Sequence, residues 1–315
     1  MKESPDSLFN IYSANLSYHD PSIQDSFVCP LCMRIFPREL IDRLTIEDII
    51  PKSLPPKQKL ITLTCKDCNN TTGSKLDSQV IKRIRSEDAF AGYGTCIRGK
   101  VKSASGEYTG EIVKTGESSY HIKHLPQFSN PALMKNVFED IKKDKAEITF
   151  ISEALYNTPH STLGYLRAAY LMMFCYFGYG YVKYRYMTDP IRLAILNHAD
   201  DSPLLNSVFR LNSKFKGNIV TALTSPAEHR CFFVFIDYST DINRIIGVAL
   251  PGFGQEGHDK HQALMAFAKE KKKISGSWSP INYHESIVTN EANKDAVDRL
   301  WQHILTNSPL VLKCY

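Results

Sequence analysis

Four cysteines and a pair of adjacent acids are the residues in this chain whose types and spacing could do chemistry. Cys29-Pro30-Leu31-Cys32 and Cys65-Lys66-Asp67-Cys68 are two C-x-x-C pairs with 32 residues between them. That is the pattern of a tetrahedral four-thiolate zinc site, because each tight knuckle supplies two sulfurs and the ion ties two distant loops together. A redox C-x-x-C comes singly beside a βαβ pattern, and none is present here. The flanking Lys66, Asp67 and Asn69 are too polar for four unligated thiols in a core. Disulfides belong to oxidising compartments. The chain opens without a basic and then apolar signal segment, so a reducing, cytoplasmic setting is expected, with structural Zn2+ on Cys29, Cys32, Cys65 and Cys68.

Between the knuckles, Leu44 to Ile50 is rich in Leu, Ile and Thr and reads as a strand, yet Glu47 and Asp48 stand side by side within it. Strand residues alternate faces, so the two carboxylates point to opposite sides unless a bulge re-aims them. An exposed edge strand would accommodate them. So would a hard divalent cation, since Mg2+ is held by one or two oxygen ligands together with water and substrate phosphate. After the second knuckle, Gly73-Ser74-Lys75-Leu76-Asp77 opens a helix that continues to Arg85. Leu76, Val80, Ile81 and Ile84 form its covering face, and Lys75, Lys82, Arg83 and Arg85 form the opposite, basic flank.

Taken together, C-x-x-C, then Leu44-Thr45-Ile46-Glu47-Asp48-Ile49-Ile50-Pro51-Lys52-Ser53-Leu54, then Leu63-Thr64-Cys65 through Cys68-Asn69-Asn70 to Gly73-Ser74-Lys75-Leu76-Asp77, resemble the zinc-bearing branch of the HNH endonucleases. The likeness covers residues 27–85. It implies a ββα-metal core that cuts phosphodiesters. Glu47 and Asn69 would bind the catalytic cation, Mg2+ or Mn2+, through oxygen. The position after the first acid is usually a histidine that acts as general base; here it is Asp48, and no histidine lies between Cys29 and Asp77. A carboxylate is a weaker base, its pKa about 2.5 units below imidazole. Asp48 would therefore activate water with a pKa raised by Glu47, or join the metal shell. Asp77 is read either as a group orienting Asn69 or as a first-turn acid.

Bulk properties bound the rest. The chain has 315 residues, 43% apolar and 23% charged, enough for two domains of an ordinary soluble protein. Its net charge is +5, and residues 29–85 carry all of it, with 11 Lys and Arg against 6 Asp and Glu. Zinc on four thiolates would lower that window to about +3. Local basic charge favours a nucleic-acid partner, met by Lys52, Lys75, Lys82, Arg83 and Arg85, and the HNH resemblance implies DNA as the favoured one.

The elements expected around this centre are an N-terminal lead-in (1–26) with a short helix near Ser7–Ser13, the HNH-like domain (27–90), and an α+β domain (91–315). The last is expected to have strands at 95–101, 108–114, 120–125 and 147–151 and a helix at 131–143. A buried helix over 163–181 follows, then a helix opened by Asp189-Pro190, strands at 218–223, 231–237 and 244–250, and helices at 258–272 and 291–305. The apolar stretch Ala168–Val182 falls short of a membrane span. His258 and His261 read as surface histidines, and Cys96, Cys175, Cys231 and Cys314 as ordinary thiols. The role of residues 91–315 is open between substrate recognition, small-molecule sensing and assembly, including a homo-oligomer or protein partner. The fold class expected is α+β, with a ββα-metal core stapled by zinc and a larger domain with antiparallel strands. The function expected is metal-dependent endonuclease, with a catalytically degenerate zinc module that binds nucleic acid or protein as the alternative.

Overall fold

A computed structural model describes residues 4–271 and 277–280, apart from 55–59, 93, 95, 118, 126, 128–129, 144–146, 148, 153–155, 212–216 and 241. The helix expected at 291–305 and Cys314 lie outside the described residues. The chain is a mixture of helices and antiparallel strands that divides into two compact units. One comprises Met1–Ser78, Pro159–Ser239 and Arg244–Tyr315, and the other Gln79–Thr158 and Thr240–Asn243.

The first unit begins with α1 (Pro5–His19), opened by a reciprocal cap between Ser4 and Ser7 with proline in the first turn. Sequence reading saw a short helix in a polar lead-in; instead Phe9, Tyr12 and Leu16 are buried. β1 (Ser26–Val28) and β2 (Ile35–Pro37) pair antiparallel around the first knuckle. β3 (Leu44–Asp48) and β4 (Ile61–Cys65) form a second antiparallel pair, in unbroken register from Leu44 opposite Cys65 to Asp48 opposite Ile61. β4 runs directly into α2 (Lys66–Thr72), which packs on both strands. The helix therefore starts seven residues earlier than expected. It widens into a π-helical turn at Gly73–Asp77, a distortion that recurs at functional sites.

The long helix α5 (Thr158–Phe177) is buried on nearly every side, as its largely apolar composition requires. Gly178, at φ 54°, stops it and admits the short α6 (Tyr179–Val182). α7 (Arg185–Leu196) contains Pro190 rather than beginning there; Asp189 is ion-paired with Arg185 and Arg192 instead of capping. A five-stranded antiparallel sheet follows, in the order β13-β10-β11-β12-β9, from β9 (Val208–Leu211), β10 (Ile219–Ser225), β11 (Cys231–Asp237), β12 (Ile245–Leu250) and β13 (Ser277–Pro280). Its central strand is the apolar Cys231–Ile236 run, covered on both faces as expected. α8 (Gly254–Lys271) contributes Leu264 to the same core.

The second unit holds α3 (Ser78–Ala91) and a four-stranded antiparallel sheet in the order β7-β6-β5-β8. Its strands are β5 (Ile97–Ser103), β6 (Gly106–Lys114), β7 (Tyr120–His124) and β8 (Thr149–Ser152). The meander and the fourth strand match the expectation to within about two residues. α4 (Pro131–Ile141) packs Val137 into a core with Ile97, Val101, Tyr108 and Ile112. No described helix is long and apolar enough to cross a membrane.

Candidate metal centre

The two knuckles converge. The sulfurs of Cys29, Cys32, Cys65 and Cys68 all lie within 4.8 Å of one another, and Cys32 Sγ is 3.7 Å from Cys65 Sγ. A tetrahedron built on Zn–S distances of about 2.3 Å has edges of roughly 3.8 Å, so the four thiols fit that ion. None is in a disulfide. Among the described residues this is the one cluster of three or more Cys, His, Asp or Glu side chains able to hold a metal. Burial pushes the Cys29 thiol up, and neighbouring sulfurs push Cys68 up, so metal uptake must displace protons.

The knuckle is shaped locally and braced from a distance. Met33 sits at φ 60° and donates its N–H to the Cys29 carbonyl at 2.9 Å, while Cys29 N–H reaches the Arg34 carbonyl at 3.0 Å. Helices far along the chain secure the two residues between the cysteines. Tyr170 of α5 donates its hydroxyl to the Pro30 carbonyl at 2.8 Å, and Arg192 of α7 donates to the Leu31 carbonyl at 3.0 Å. Outside the sulfurs, Arg34 points its guanidinium at Cys32 Sγ (3.4 Å) and Cys65 Sγ (3.7 Å) and pairs with Asp67 at 2.6 Å. That cation offsets the double negative charge a zinc tetrathiolate would carry.

The adjacent acids part as alternation demands. With no bulge in the β3–β4 register, Glu47 shares a face with Thr62 and Thr64, and Asp48 faces the other way with Ile61 and Leu63. Asp48 is 18% exposed and its Oδ2 lies 3.0 Å from the ammonium of the largely exposed Lys52.

Glu47 is 3% exposed and is met by Arg167 of α5, which is completely buried. The Arg167 guanidinium donates Nη2 to Glu47 Oε1 at 2.5 Å, Nη1 to both oxygens of Asp77 at 3.1 and 3.2 Å, and Nε to the Thr72 hydroxyl at 2.8 Å. The other carboxylate oxygen of Glu47, Oε2, is buried with no hydrogen-bond partner. Burial raises the pKa of Glu47 despite the guanidinium, and pushes Asp77 up to about 6 with Glu47 contributing to the rise. For Arg167, burial favours the neutral form, but Asp77 and Glu47 more than reverse it and keep the side chain charged. Two buried carboxylates thus share one cation, an excess of one negative charge in a desolvated place.

Asn69, one turn before Gly73 on the same helical run, completes the neighbourhood. A Cβ on Gly73 would lie 3.4 Å from Asn69 Oδ1 and 3.6 Å from Asp77 Oδ2, so glycine leaves the space between these two oxygens open. Asp77 is therefore neither a plain first-turn acid nor tied to Asn69 alone: it is the second carboxylate on Arg167.

Arg167, Tyr170 and Arg192 were not anticipated from the sequence. The available signal was a single arginine inside the most apolar helix, which must find acids elsewhere in the fold. Two histidines also fold in from outside the motif. His198, at φ 52° beyond the end of α7, has its ring 6.0 Å from that of His160; its pKa is lowered by burial and then by Lys75. Lys75 is exposed in the first unit. Lys82, Arg83 and Arg85 belong to the second, where Lys82 and Arg85 are exposed and Arg83 pairs with Glu87 and lies over the Tyr156 ring. Compared with known protein families, curated proteins and solved structures, the chain matches none.

Proposed function

We propose that this chain is a metal-dependent endonuclease, of the zinc-bearing HNH kind, that hydrolyses phosphodiester bonds of nucleic acid, with DNA as the favoured substrate. The observation that carries the reading is the divided carboxylate of Glu47: Oε1 is held by Arg167, while Oε2 is buried without a partner on a strand that leads, through β4, into the helix bearing Asn69. An orphaned acceptor in a negatively charged, desolvated cluster is a poor arrangement by itself and a good one for a hard cation.

In this reading Cys29, Cys32, Cys65 and Cys68 hold Zn2+ as scaffold. Glu47 and Asn69 supply oxygen donors to Mg2+ or Mn2+, both ordinary partners of carboxylate and amide oxygens. When bound, that ion neutralises charge on the scissile phosphate. Asp48, paired with Lys52 on the opposite face of β3 from Glu47, is the residue whose part as proton acceptor the variants below test. Lys75 and Lys52 offset phosphate charge near the motif, and Lys82, Arg83 and Arg85 of the second unit are basic residues for nucleic acid in their own right.

A second reading has a specific basis. Arg167 already neutralises Glu47 in part, and Asp48 replaces the histidine expected of an active HNH site. Those features suit a zinc module that binds nucleic acid or a protein without cutting.

The test is incubation of the purified chain with plasmid, single-stranded DNA and RNA in Mg2+, Mn2+ or EDTA, beside Glu47→Ala, Asp48→Ala and Asp48→His. The endonuclease reading expects metal-dependent cleavage that both alanine variants lose by at least a hundredfold. Binding without cleavage, unchanged in both, supports the module. Cleavage that emerges only in Asp48→His identifies a degenerate site.

A further inference from the structure

We propose that Arg167 is a positioning residue of the cation site: it fixes the Glu47 carboxylate so that Oε2 is presented to the ion. The inference rests on the cation-binding reading above and adds a residue more than 80 positions beyond the last motif residue, Asp77.

All three guanidinium nitrogens are committed, Nη2 to Glu47, Nη1 to Asp77 and Nε to Thr72. The side chain is 0% exposed, so the fork is out of reach of a phosphate. Arg167 is thus unsuited to gripping substrate. Its planar fork instead anchors Oε1 of the Glu47 carboxylate through the Nη2–Oε1 contact at 2.5 Å and leaves Oε2 as the unbonded oxygen. The fork is itself fixed at its other two corners: Thr72 ends α2, and Asp77 is delivered by the π-helical turn at Gly73–Asp77. Five residues of ordinary helix would turn Asp77 about 140° around the axis from Thr72, so the π turn, which brings positions five apart toward one face, is what allows both groups to meet one guanidinium. The same turn carries Gly73, whose missing side chain leaves Asn69 Oδ1 unobstructed. One arginine therefore ties the helix that presents Asn69 to the strand that presents Glu47.

A bare positive charge near a cation site weakens cation binding; an orienting contact strengthens it. The sign of the change on substitution separates these roles. Arg167→Lys keeps the charge and loses the fork. Thr72→Val keeps shape and charge and loosens the Nε corner of the clamp, which serves if the lysine variant does not fold. The probe is Mn2+ alone, titrated into zinc-loaded protein and followed by electron paramagnetic resonance, with zinc content and melting temperature measured in parallel. Wild type is expected to bind one Mn2+, lost in Glu47→Gln. Arg167→Lys and Thr72→Val are expected to weaken it at least tenfold while zinc stays at one per chain. Mn2+ binding by the wild type with unchanged or tighter binding in the folded variants overturns the positioning role and leaves the cation site standing. Absence of Mn2+ binding in the wild type overturns both.

Discussion

At the scale of single residues, the account depends on how charges are compensated. The cysteine cluster has an outer cation in Arg34, which spans two sulfurs and Asp67 from a largely exposed position. Its worth lies in metal retention more than in folding, because an exposed ion pair stabilises by at most about 1 kcal/mol. Outer partners of metal ligands, by contrast, change affinity by about 10- to 100-fold. Arg34→Ala is therefore expected to release zinc to a competing chelator at a free-zinc concentration at least tenfold higher than wild type, with the apparent melting temperature of the zinc-loaded protein nearly unchanged. Equal retention in a chelator titration would show that the thiols alone set the affinity. Arg167 is the opposite case. Removing one partner from a buried ion cluster leaves charge uncompensated and costs about 3–5 kcal/mol, so stability effects there are large and must be separated from function.

At the scale of elements, α8 shows what sequence reading could and could not reach. Its helical span was legible, but the surface placement expected of His261 was not correct. The residue is 1% exposed, with its ring nitrogen 3.1 Å from the Ala249 carbonyl of β12. Burial lowers its pKa to about 4 from 6.5, so the native state keeps it neutral while the unfolded chain takes up a proton. Stability is then unaffected above pH 6.5, falls as pH drops from 6.5 to 4, and levels off below, a loss of about 3 kcal/mol for this group. Asp77, raised to about 6, contributes with the opposite sign in part of that window, so the histidine is isolated by difference. Chemical denaturation of wild type and His261→Gln across pH 4–7 should show the wild type losing this stability relative to the variant in acid. Parallel curves would mean that His261 titrates normally.

The same contrast runs through the candidate site. The cysteine spacing, the β3 strand and the alternation of Glu47 and Asp48 could be read because each follows from local pattern: two knuckles, a β-rich run, a period of two. The early start of α2 was missed because Lys66–Thr72 is polar and has no apolar period to announce it. The π turn was missed because it owes its register to a tertiary contact, Asp77 with Arg167. Arg167, Tyr170 and Arg192 were missed because their partners lie 90 to 161 positions away, where sequence spacing carries no information.

At the scale of the whole molecule, the unit that holds the cysteines also contains Pro159–Ser239 and Arg244–Tyr315. The zinc knuckle is braced by α5 and α7, Glu47 is held by α5, and Tyr12 of α1 stacks on Phe174 with ring centroids 4.6 Å apart. The short ββα segment thus borrows its core, and one arm of its candidate site, from the C-terminal half. The most direct measurement is a crystal of the zinc-loaded protein soaked in Mn2+, with anomalous scattering recorded for each metal. The account predicts a zinc peak among Cys29, Cys32, Cys65 and Cys68 and a separate manganese peak in contact with Glu47 Oε2 and Asn69 Oδ1, with Arg167 still on Oε1. A single peak at the cysteines, with Glu47 Oε2 still bare in saturating Mn2+, would contradict it.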